Sequence, residues 1–425
     1  MPSTTTPSVS LDQQLERLLA SDPAAIADPF TVWNRVREQG RTRRLGGLLL
    51  VTHYDDVKAI VRDERGLSNG AARAGTRMRE LTARLTPAQL DAYREVSGFE
   101  SLYVSRSDGA QHDRLRGIAH RVFTPRRIAD MHASVERTLD EMLDGIDPDA
   151  ETDVVAQFAY RLPLTLIADM LSVPPEQREQ IHVWSNQLGR NRNGDNPEAL
   201  MVADGAMREF RHYVEEILVP LRMRGGGTDL VSALLEAEGG ERLAPQELTA
   251  MFVVLLFAGH ETTTNLIGNG LLELLRNRDQ WERLCADPSL APRATEELLR
   301  YVSPVQWLGR VALQDFEIAG EQVSEGQTIF PVLAAANRDP AAFNDPERLD
   351  ITRPDARNHL ALGFGPHFCL GNALARLEGA IVFRALAERY PDAELVDEHP
   401  GWRGNAMLRG LQSLPLRFGA RRMPS

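Results

Sequence analysis

The chain has 425 residues, 43% of them hydrophobic and 25% charged, a composition typical of a globular protein with a sizeable core. Its net charge of −12 at pH 7 argues against nucleic acid as a partner, because phosphate backbones attract basic surfaces. Only two cysteines occur, Cys285 and Cys369, which excludes a disulfide framework and an iron–sulfur cluster held by four cysteines.

The N-terminal residues give no sign of secretion. Residues 1–10 are rich in Ser, Thr and Pro and lack the basic and apolar segments of a signal peptide. The longest apolar run, residues 251–259, is too short to cross a bilayer. We therefore expect a cytoplasmic protein without a membrane partner, in which residues 1–20 are a flexible tail and residues 21–425 form a single domain.

The first half of the chain is predicted to be mainly helical. Asp28 followed by Pro29 is typical of a helix start. The apolar stretch 44–52 around a Gly-Gly pair indicates a strand or hairpin, and residues 66–104 indicate a long, functional connection. Helical patterns cover residues 28–39, 54–62, 86–96, 110–122, 124–145, 153–171, 175–188 and 197–224.

The second half contains the longest predicted helix, over residues 245–276. Its segment 251–258 is apolar on every side, so we expect the helix to cross the centre of the molecule. Short strands are predicted within residues 305–332 and 394–418, and a helix over residues 372–390. The predicted fold class is therefore mainly α with small antiparallel β-sheets.

Residues 362–371 form a glycine-rich loop that carries Cys369 towards a helix. Glycines such as Gly365 and Gly371 allow tight bends close to a flat ligand, and N–H groups at the helix start stabilise a thiolate. A thiolate held this way is a suitable ligand for haem iron. The spacing G-x-G-x-H-x-C-x-G closely resembles the haem-binding signature of the cytochromes P450. Leu362 replaces the usual Phe of the family, which affects the expected redox potential but not the ligation.

The resemblance implies a cytochrome P450 fold and haem b (iron protoporphyrin IX) bound through Cys369, with Gly365 and Gly371 shaping the site. Residues 258–263 read Ala-Gly-His-Glu-Thr-Thr and resemble the oxygen-activation segment of the family. On this basis Glu261 and Thr262 form an acid–alcohol pair for proton delivery. The alternative is a tolerated kink, because Gly inside a helix costs about 1 kcal/mol relative to Ala.

Three further sets of residues follow from the same resemblance. Glu297 and Arg300 form an E-x-x-R pair on one helix face, which we expect to support folding and haem retention. The expected ligands of the haem propionates are His112, Arg116, Arg310 and His367. Candidate substrate contacts are Ala258, Val305, Gln306 and Trp307. His112 and Arg116 could equally lie on a solvated helix face, and Gln306 and Trp307 could equally be packing residues.

The resemblance predicts a monooxygenase that inserts one oxygen atom from O2 into a small organic substrate, by hydroxylation or a related oxidation in specialised metabolism. Electrons would come from NAD(P)H through a separate ferredoxin and ferredoxin reductase. Five arginines within residues 114–127 suit an acidic ferredoxin, or are simply a solvated arginine-rich helix. Oxidative coupling, a peroxide-driven oxidation and a haem-thiolate binding protein without turnover remain open.

Overall fold

The computed structural model describes residues 9–63, 67–73, 75–121, 123–189, 197–221 and 243–422. The helices are α1 (Leu11–Leu19), α2 (Pro23–Ala27), α3 (Pro29–Gln39), α4 (Tyr54–Arg62), α5 (Thr76–Thr82), α6 (Pro87–Glu100), α7 (Gly109–His120), α8 (Pro125–Asp130), α9 (His132–Leu143), α10 (Arg161–Met170), α11 (Arg178–Gly189), α12 (Pro197–His212), α13 (Pro245–Arg276), α14 (Arg278–Ala286), α15 (Ala291–Val302), α16 (Leu333–Ala336) and α17 (Asn372–Arg389). Short π-helical segments lie at Val155–Ala159 and Tyr213–Leu218.

The strands form small sheets. They are β1 (Thr42–Leu45), β2 (Leu48–Val51), β3 (Leu67–Ser68), β4 (Glu151–Asp153), β5 (Arg310–Ala312), β6 (Phe316–Ile318), β7 (Glu321–Val323), β8 (Thr328–Pro331), β9 (Glu394–Leu395) and β10 (Pro415–Arg417). Their orders are β1-β2-β8-β5-β3, β4-β10-β9 and β6-β7. Among the described strands all pairings are antiparallel except β2 with β8, where Leu48 pairs with Thr328 in a parallel register. The predicted fold class is confirmed, with this one parallel pair added.

Local signals set several boundaries. Asp28 caps α3 because its carboxylate accepts from the backbone N–H of Thr31 at 3.2 Å, and Pro29 takes the first helical position. Helix α13 has the bounds predicted from the sequence, and Glu247 in its first turn accepts from the backbone N–H of Ala244 at 2.9 Å. Both predictions are confirmed.

Helix α13 is the centre of the molecule. It packs against α10, α15 and α17, and its residues from Met251 to Phe257 are buried. The helix is long and apolar enough to cross a membrane, but 83% of its most apolar window is buried inside the protein. A helix covered in this way by protein is a core helix, and it positions the site described below.

The predicted flexible tail is partly wrong. Helix α1 starts at a capping box in which Ser10 and Gln13 exchange side-chain and backbone hydrogen bonds. Its four leucines are buried and belong to an apolar cluster that extends to Phe418. Residues 11–19 are therefore held by burial of a leucine face, a long-range effect, whereas residues 1–8 lie outside the described residues.

Other predicted segments are divided more finely than expected. The described part of the connection over residues 66–104 contains α5 and α6, so that part is largely helical. The predicted helix over 124–145 is split into α8 and α9. The segment predicted over 153–171 begins with π-helical turns before α10. Residue 122 and residues 222–224, at the ends of two predicted helices, lie outside the described residues.

Candidate active site

The loop that carries Cys369 is shaped by glycines. Gly363 and Gly365 have φ values of +73° and +75°, in the left-handed region that glycine adopts without steric penalty. The backbone N–H of Cys369 donates to the carbonyl of Leu362 at 2.9 Å. This hydrogen bond closes the loop and holds Cys369 just before the first turn of α17.

A cavity of about 330 Å³ is lined by both this loop and α13. The loop contributes Cys369, and α13 contributes Ala258, Gly259 and Thr262. Much of the remaining lining is apolar and includes Phe123, Ile167, Leu362, Phe368, Leu374 and Met407. The fold thus brings the predicted metal ligand and the predicted catalytic alcohol to the same cavity.

The cysteine experiences opposing influences. Burial raises the pKa of the Cys369 thiol, whereas the backbone N–H of Gly371 and the charges of Arg116 and Arg376 act in the other direction. The contribution of Gly371 is the one expected for a thiol placed before a helix. Because a coordinating thiol is deprotonated outright, iron binding would offset the effect of burial.

Asn69 joins two of the predicted propionate ligands. A guanidinium N–H of Arg310 donates to the side-chain oxygen of Asn69 at 2.6 Å, and the Asn69 amide nitrogen lies 3.3 Å from Nδ1 of His367. The ring of His112 packs against that of His367 with centroids 4.0 Å apart. Three of the four predicted residues therefore lie together, and two of them, Arg310 and His367, line the cavity.

Arg116, the fourth predicted ligand, extends from α7 and donates to the carbonyl of Phe368 at 2.6 Å. Phe368 immediately precedes Cys369, so this arginine also supports the cysteine loop. Burial and the proximity of His112 lower the pKa of His367 to about 3, so its imidazole is neutral at physiological pH. The group therefore combines two arginine charges with the neutral imidazole of His367.

Gly259 allows α13 to pack closely against α10. A Cβ atom at Gly259 would lie 2.9 Å from Cγ1 of Ile167, too close for a real contact. Three residues later, the hydroxyl of Thr262 donates to the carbonyl of Ala258 at 3.1 Å, as expected for Thr inside a helix. The glycine is thus explained by helix packing, and the threonine places its hydroxyl at the cavity.

Glu261 does not line the cavity. Its Oε2 accepts from Arg403 at 2.9 Å, and its Oε1 lies 3.5 Å from Nε2 of His260. Burial raises the pKa of Glu261, but attraction to Arg403 and the proximity of His260 outweigh it and lower the pKa to about 2. The structure therefore separates the predicted pair: Thr262 reaches the cavity, and Glu261 is an ionised carboxylate outside it.

Known proteins agree with this geometry. A family model described as "Cytochrome P450" matches residues 197–287 and 289–393. The polyketide biosynthesis cytochrome P450 PksS of Bacillus subtilis strain 168 is 36% identical over 401 residues, which cover 92% of this chain and 95% of the relative. Cytochrome P450 107B1 of Saccharopolyspora erythraea is 40% identical over 413 residues, covering 95% and 98%. The chain belongs to the cytochrome P450 family.

Solved P450 structures share the fold. The structure of PksS from Bacillus subtilis 168 aligns with a TM-score of 0.82 at 35% identity and covers 94% of this chain and 99% of that chain. Ligand-free CYP164A2 of Mycobacterium smegmatis aligns with a TM-score of 0.85 at 33% identity, covering 96% and 100%. The predicted family, fold and enzyme class are confirmed: this P450 is an oxidoreductase that incorporates oxygen.

Membership of the P450 family implies a haem cofactor, and the cavity residues fit one. Cys369 offers a sulfur ligand, and Arg116 and Arg310 offer charged donors for two carboxylates. A Cβ atom at Gly371 would meet no described atom within 4 Å, so the loop leaves open space beside the cysteine. These features together suit a flat, apolar group with an acidic edge.

Gly365 shapes the cysteine loop from outside the cavity lining. It is not among the residues that line the cavity. A Cβ atom at this position would lie 3.1 Å from Cα of Arg62, at the end of α4. With its positive φ, Gly365 is therefore explained by loop conformation and packing against α4, and its part in shaping the cofactor site stays a prediction.

Gln306 is a packing residue in this structure. Its side chain is buried, and its amide nitrogen donates to the carbonyl of Ser303 at 2.6 Å. Its amide oxygen accepts from the indole N–H of Trp33 at 3.2 Å. These partners use both ends of the amide and Gln306 does not line the cavity, so the structure supports the packing alternative and gives the substrate contact no support.

The other candidate substrate contacts differ in position. Ala258 and Trp307 line the cavity. The Trp307 ring packs edge-on against Trp33 with centroids 5.8 Å apart, so it is fixed in place. Val305 forms an isolated β-bridge with Leu408 and is not a lining residue. Substrate contact therefore stays a prediction for Ala258 and Trp307 and has no support at Val305.

Two site residues were not predicted from the sequence. Asn69 lies in the connection between α4 and α5 and carries no local signal beyond that position. Arg403 lies 142 positions after Glu261 and reaches it only through the folding of the C-terminal segment. Neither contact has a spacing that a motif could reveal, because both depend on tertiary structure.

Proposed function

We propose that this P450 binds haem b through Cys369 and inserts one oxygen atom from O2 into a small organic substrate. Electrons would pass from NAD(P)H through a ferredoxin reductase and a ferredoxin, all in the cytoplasm. The observation that carries the proposal is the single cavity that Cys369, Thr262 and the Arg116–Arg310 group share. When bound, haem supplies the oxygen-activating chemistry, and the protein supplies orientation and protons.

The residues of the chain have separate tasks in this proposal. The loop holds the Cys369 sulfur at the cavity, and Arg116 and Arg310 neutralise the propionates. Thr262 holds a hydroxyl in the cavity, where it can accept and donate hydrogen bonds during proton delivery. Glu261, which is ionised and paired with Arg403, would carry protons inward after its side chain leaves that ion pair.

The names of relatives support a substrate from specialised metabolism. PksS is named for polyketide biosynthesis, and 6-deoxyerythronolide B hydroxylase of Saccharopolyspora erythraea is 37% identical over 373 residues. One structural relative, CxnD, is described as forming a C–S bond in chuangxinmycin biosynthesis. We propose that this P450 catalyses hydroxylation. Identification of the product distinguishes hydroxylation from oxidative coupling.

The proposal is tested with purified holoprotein, a ferredoxin and a ferredoxin reductase. Compounds are first screened for a shift in the haem spin state. Those that bind should then stimulate consumption of NAD(P)H and O2 and give a product one oxygen atom heavier, labelled when the O2 is labelled. Product formed only with hydrogen peroxide would indicate a peroxide-driven enzyme, and binding without any turnover would indicate a haem-thiolate binding protein.

Thr262→Ala should uncouple the reaction. Loss of the hydroxyl removes a hydrogen-bonding group from the cavity but leaves the cysteine loop intact, so haem content and substrate binding should be retained. We expect product per NAD(P)H to fall by roughly tenfold or more and hydrogen peroxide to rise, since general acid–base groups contribute about 10²–10⁴-fold. Coupling is measured as product and peroxide formed per NAD(P)H.

The matched control for this variant is Thr249→Ala. Thr249 lies on the same helix and makes the same bond, to the carbonyl of Pro245 at 3.1 Å, but it does not line the cavity. Thr249→Ala therefore reports the effect of losing only the hydrogen bond from a threonine hydroxyl to a helix carbonyl. Equal coupling in the two variants would show that Thr262 has no special part in proton delivery.

The electron donor is predicted to dock at the basic segment around α7 and α8. Arg114 pairs with Glu247, and Arg116 donates to the carbonyl of Phe368, so both of these arginines are engaged within the protein. Arg126 is exposed and Arg127 is partly exposed on α8. Charge reversal at both should slow reduction by an acidic ferredoxin at low salt, with the defect shrinking as salt is added.

A double charge reversal elsewhere controls for the change in net charge. Arg417 and Arg421 are exposed near the C-terminal end, with side-chain exposures of 62% and 36%. Reversing both changes the net charge by the same amount without touching α8. Stopped-flow reduction rates that are equal for the two double variants at low salt would exclude α8 from the docking surface.

A further inference from the structure

Outside the cavity, α13 and α11 hold two histidines and a carboxylate together. One ligand atom from each of His182, His260 and Glu261 lies within 4.8 Å of the other two. His260 and Glu261 are almost completely buried, and His182 is partly exposed. The group is thus buried except for part of the His182 side chain.

Three atoms of this group have no hydrogen-bond partner among the described residues: Nδ1 of His182, Nε2 of His260 and Oε1 of Glu261. An unpartnered polar atom in the interior is costly, and most buried polar groups in proteins have a partner. Three such atoms close together indicate a position that a ligand would complete.

Neighbouring groups hold these side chains ready for a metal. Nδ1 of His260 lies 2.6 Å from the carbonyl of Leu256, which can only accept, so the lone pair of the neutral ring is on Nε2. The amide nitrogen of Asn186 lies 2.9 Å from Nε2 of His182 and donates to it, which puts the ring proton on Nδ1. Turning this amide over would let its oxygen accept from Nε2–H and would free the lone pair of Nδ1 for a metal. Such outer contacts fix the tautomers of metal-binding histidines.

Packing also suits ligation. The ring of His182 stacks on Tyr160 with ring centroids 4.1 Å apart, which fixes its plane. Arg403 binds the other oxygen of Glu261 and orients the carboxylate, although its charge also competes with a cation.

We propose that His182, His260 and Glu261 form a binding site for a divalent transition-metal ion of the Zn²⁺ type. Two imidazole nitrogens and one carboxylate oxygen are a common zinc ligand set, with water in the fourth position. Ligand atoms about 2.0–2.1 Å from zinc are roughly 3.4 Å apart in a tetrahedral site. Nε2 of His260 and Oε1 of Glu261 are already 3.5 Å apart, close to this spacing. Small side-chain rotations would bring the ligand nitrogen of His182 to the same distance.

A metal ion at this site would inhibit the enzyme. This part rests on the proposed role of Glu261 in proton delivery. With Oε2 on Arg403 and Oε1 on the metal, the carboxylate could no longer move to carry protons towards Thr262. Zinc should therefore lower the product formed per NAD(P)H, as Thr262→Ala does, without displacing substrate from the cavity.

Metal binding is measured first, on holoprotein freed of metals by a chelator and without substrate. Isothermal titration with Zn²⁺ should give one site per chain in the unaltered protein. His182→Phe keeps a ring to stack on Tyr160 but removes both nitrogens, and it should weaken binding by roughly tenfold or more. Glu261→Gln should weaken it similarly, so the test does not depend on one variant folding well.

His399→Phe is the control, because His399 is an exposed histidine outside the group. Its variant should bind Zn²⁺ like the unaltered protein. Absence of zinc binding in the unaltered protein, or equal affinity in His182→Phe, Glu261→Gln and His399→Phe, would overturn the site. This result would leave the monooxygenase proposal untouched, because no turnover is measured.

The inhibitory effect is measured separately, as the ratio of coupling with and without Zn²⁺ in each protein. The ratio should fall in the unaltered protein and in His399→Phe, and it should stay near one in His182→Phe. Zinc that binds but changes coupling in none of these proteins would overturn the link to Glu261. A protein without any turnover would contradict the proposed function instead, while the titrations still decide the metal site.

Discussion

Cys369→Ser is expected to abolish the strongly red-shifted Soret band of the ferrous–CO form and with it all monooxygenase turnover. A serine hydroxyl is not deprotonated at neutral pH and so cannot donate electron density as a thiolate does. The loop should tolerate the change, because the backbone N–H at position 369 still bonds to the carbonyl of Leu362. The measurement is the CO difference spectrum, together with the ratio of haem to protein.

Cys285→Ser is the matched control, because Cys285 is the other cysteine of the chain. It lies on α14, away from the cavity lining, and burial raises the pKa of its thiol to about 11, so it stays protonated. We expect this variant to keep the red-shifted band. A band that survives in Cys369→Ser would remove Cys369 from the role of iron ligand.

Local signals explain what could be predicted. The cap at Asp28 and the apolar run of α13 determine helix bounds through bonds and burial within a few residues. The cysteine loop is equally local, because Gly363 sets its left-handed turn and Cys369 closes onto Leu362. These features are carried by adjacent residues, so the sequence alone indicates them.

Long-range contacts explain what could not be predicted. The position of the Glu261 side chain outside the cavity depends on its ion pair with Arg403. The packing of Gln306 depends on Trp33, which is 273 positions away. The prediction of a flexible tail misses helix α1, because the burial of its leucines depends on partners elsewhere in the core. A motif gives the identity and spacing of such residues, but the direction of each side chain follows from tertiary packing.

The E-x-x-R pair shows how a motif of little specificity becomes informative once its burial is known. Glu297 and Arg300 have no exposed side-chain surface and share two hydrogen bonds of 2.7 and 2.8 Å. A third bond of 3.1 Å joins Glu297 to Arg353. Arg300 also donates to the carbonyls of Asn337 and Pro346 at 2.8 and 2.9 Å. The pair therefore ties α15 to the segment that leads to the cysteine loop.

The connection to the cofactor site is short. The side-chain oxygen of Asn337 accepts from the backbone N–H of Leu360 at 2.6 Å, two residues before the loop begins. Arg300 fixes Asn337, Asn337 fixes Leu360, and Leu362 receives the hydrogen bond of Cys369. Loss of Arg300 should therefore disturb both the stability of the fold and the position of the sulfur.

Arg300→Ala is expected to yield little soluble holoprotein. Removing one partner of a buried ion pair typically costs about 3–5 kcal/mol, a large share of a total stability of about 5–15 kcal/mol. The loss should be near the lower end, because Arg353 still neutralises Glu297. Arg300→Lys should be intermediate, since it keeps the charge but cannot form the two-pronged bond. Urea unfolding and the haem-to-protein ratio measure both effects.

Arg293→Ala separates the buried pair from a general effect of losing an arginine on α15. Arg293 lies on the same helix and donates to the carbonyl of Thr352 at 2.5 Å, but it is exposed. An exposed contact contributes little, so this variant should lose less than about 1 kcal/mol and keep its haem. If Arg300→Ala and Arg293→Ala have equal stability and equal haem content, the ion pair is not needed. The backbone of this segment would then hold the cysteine loop by itself.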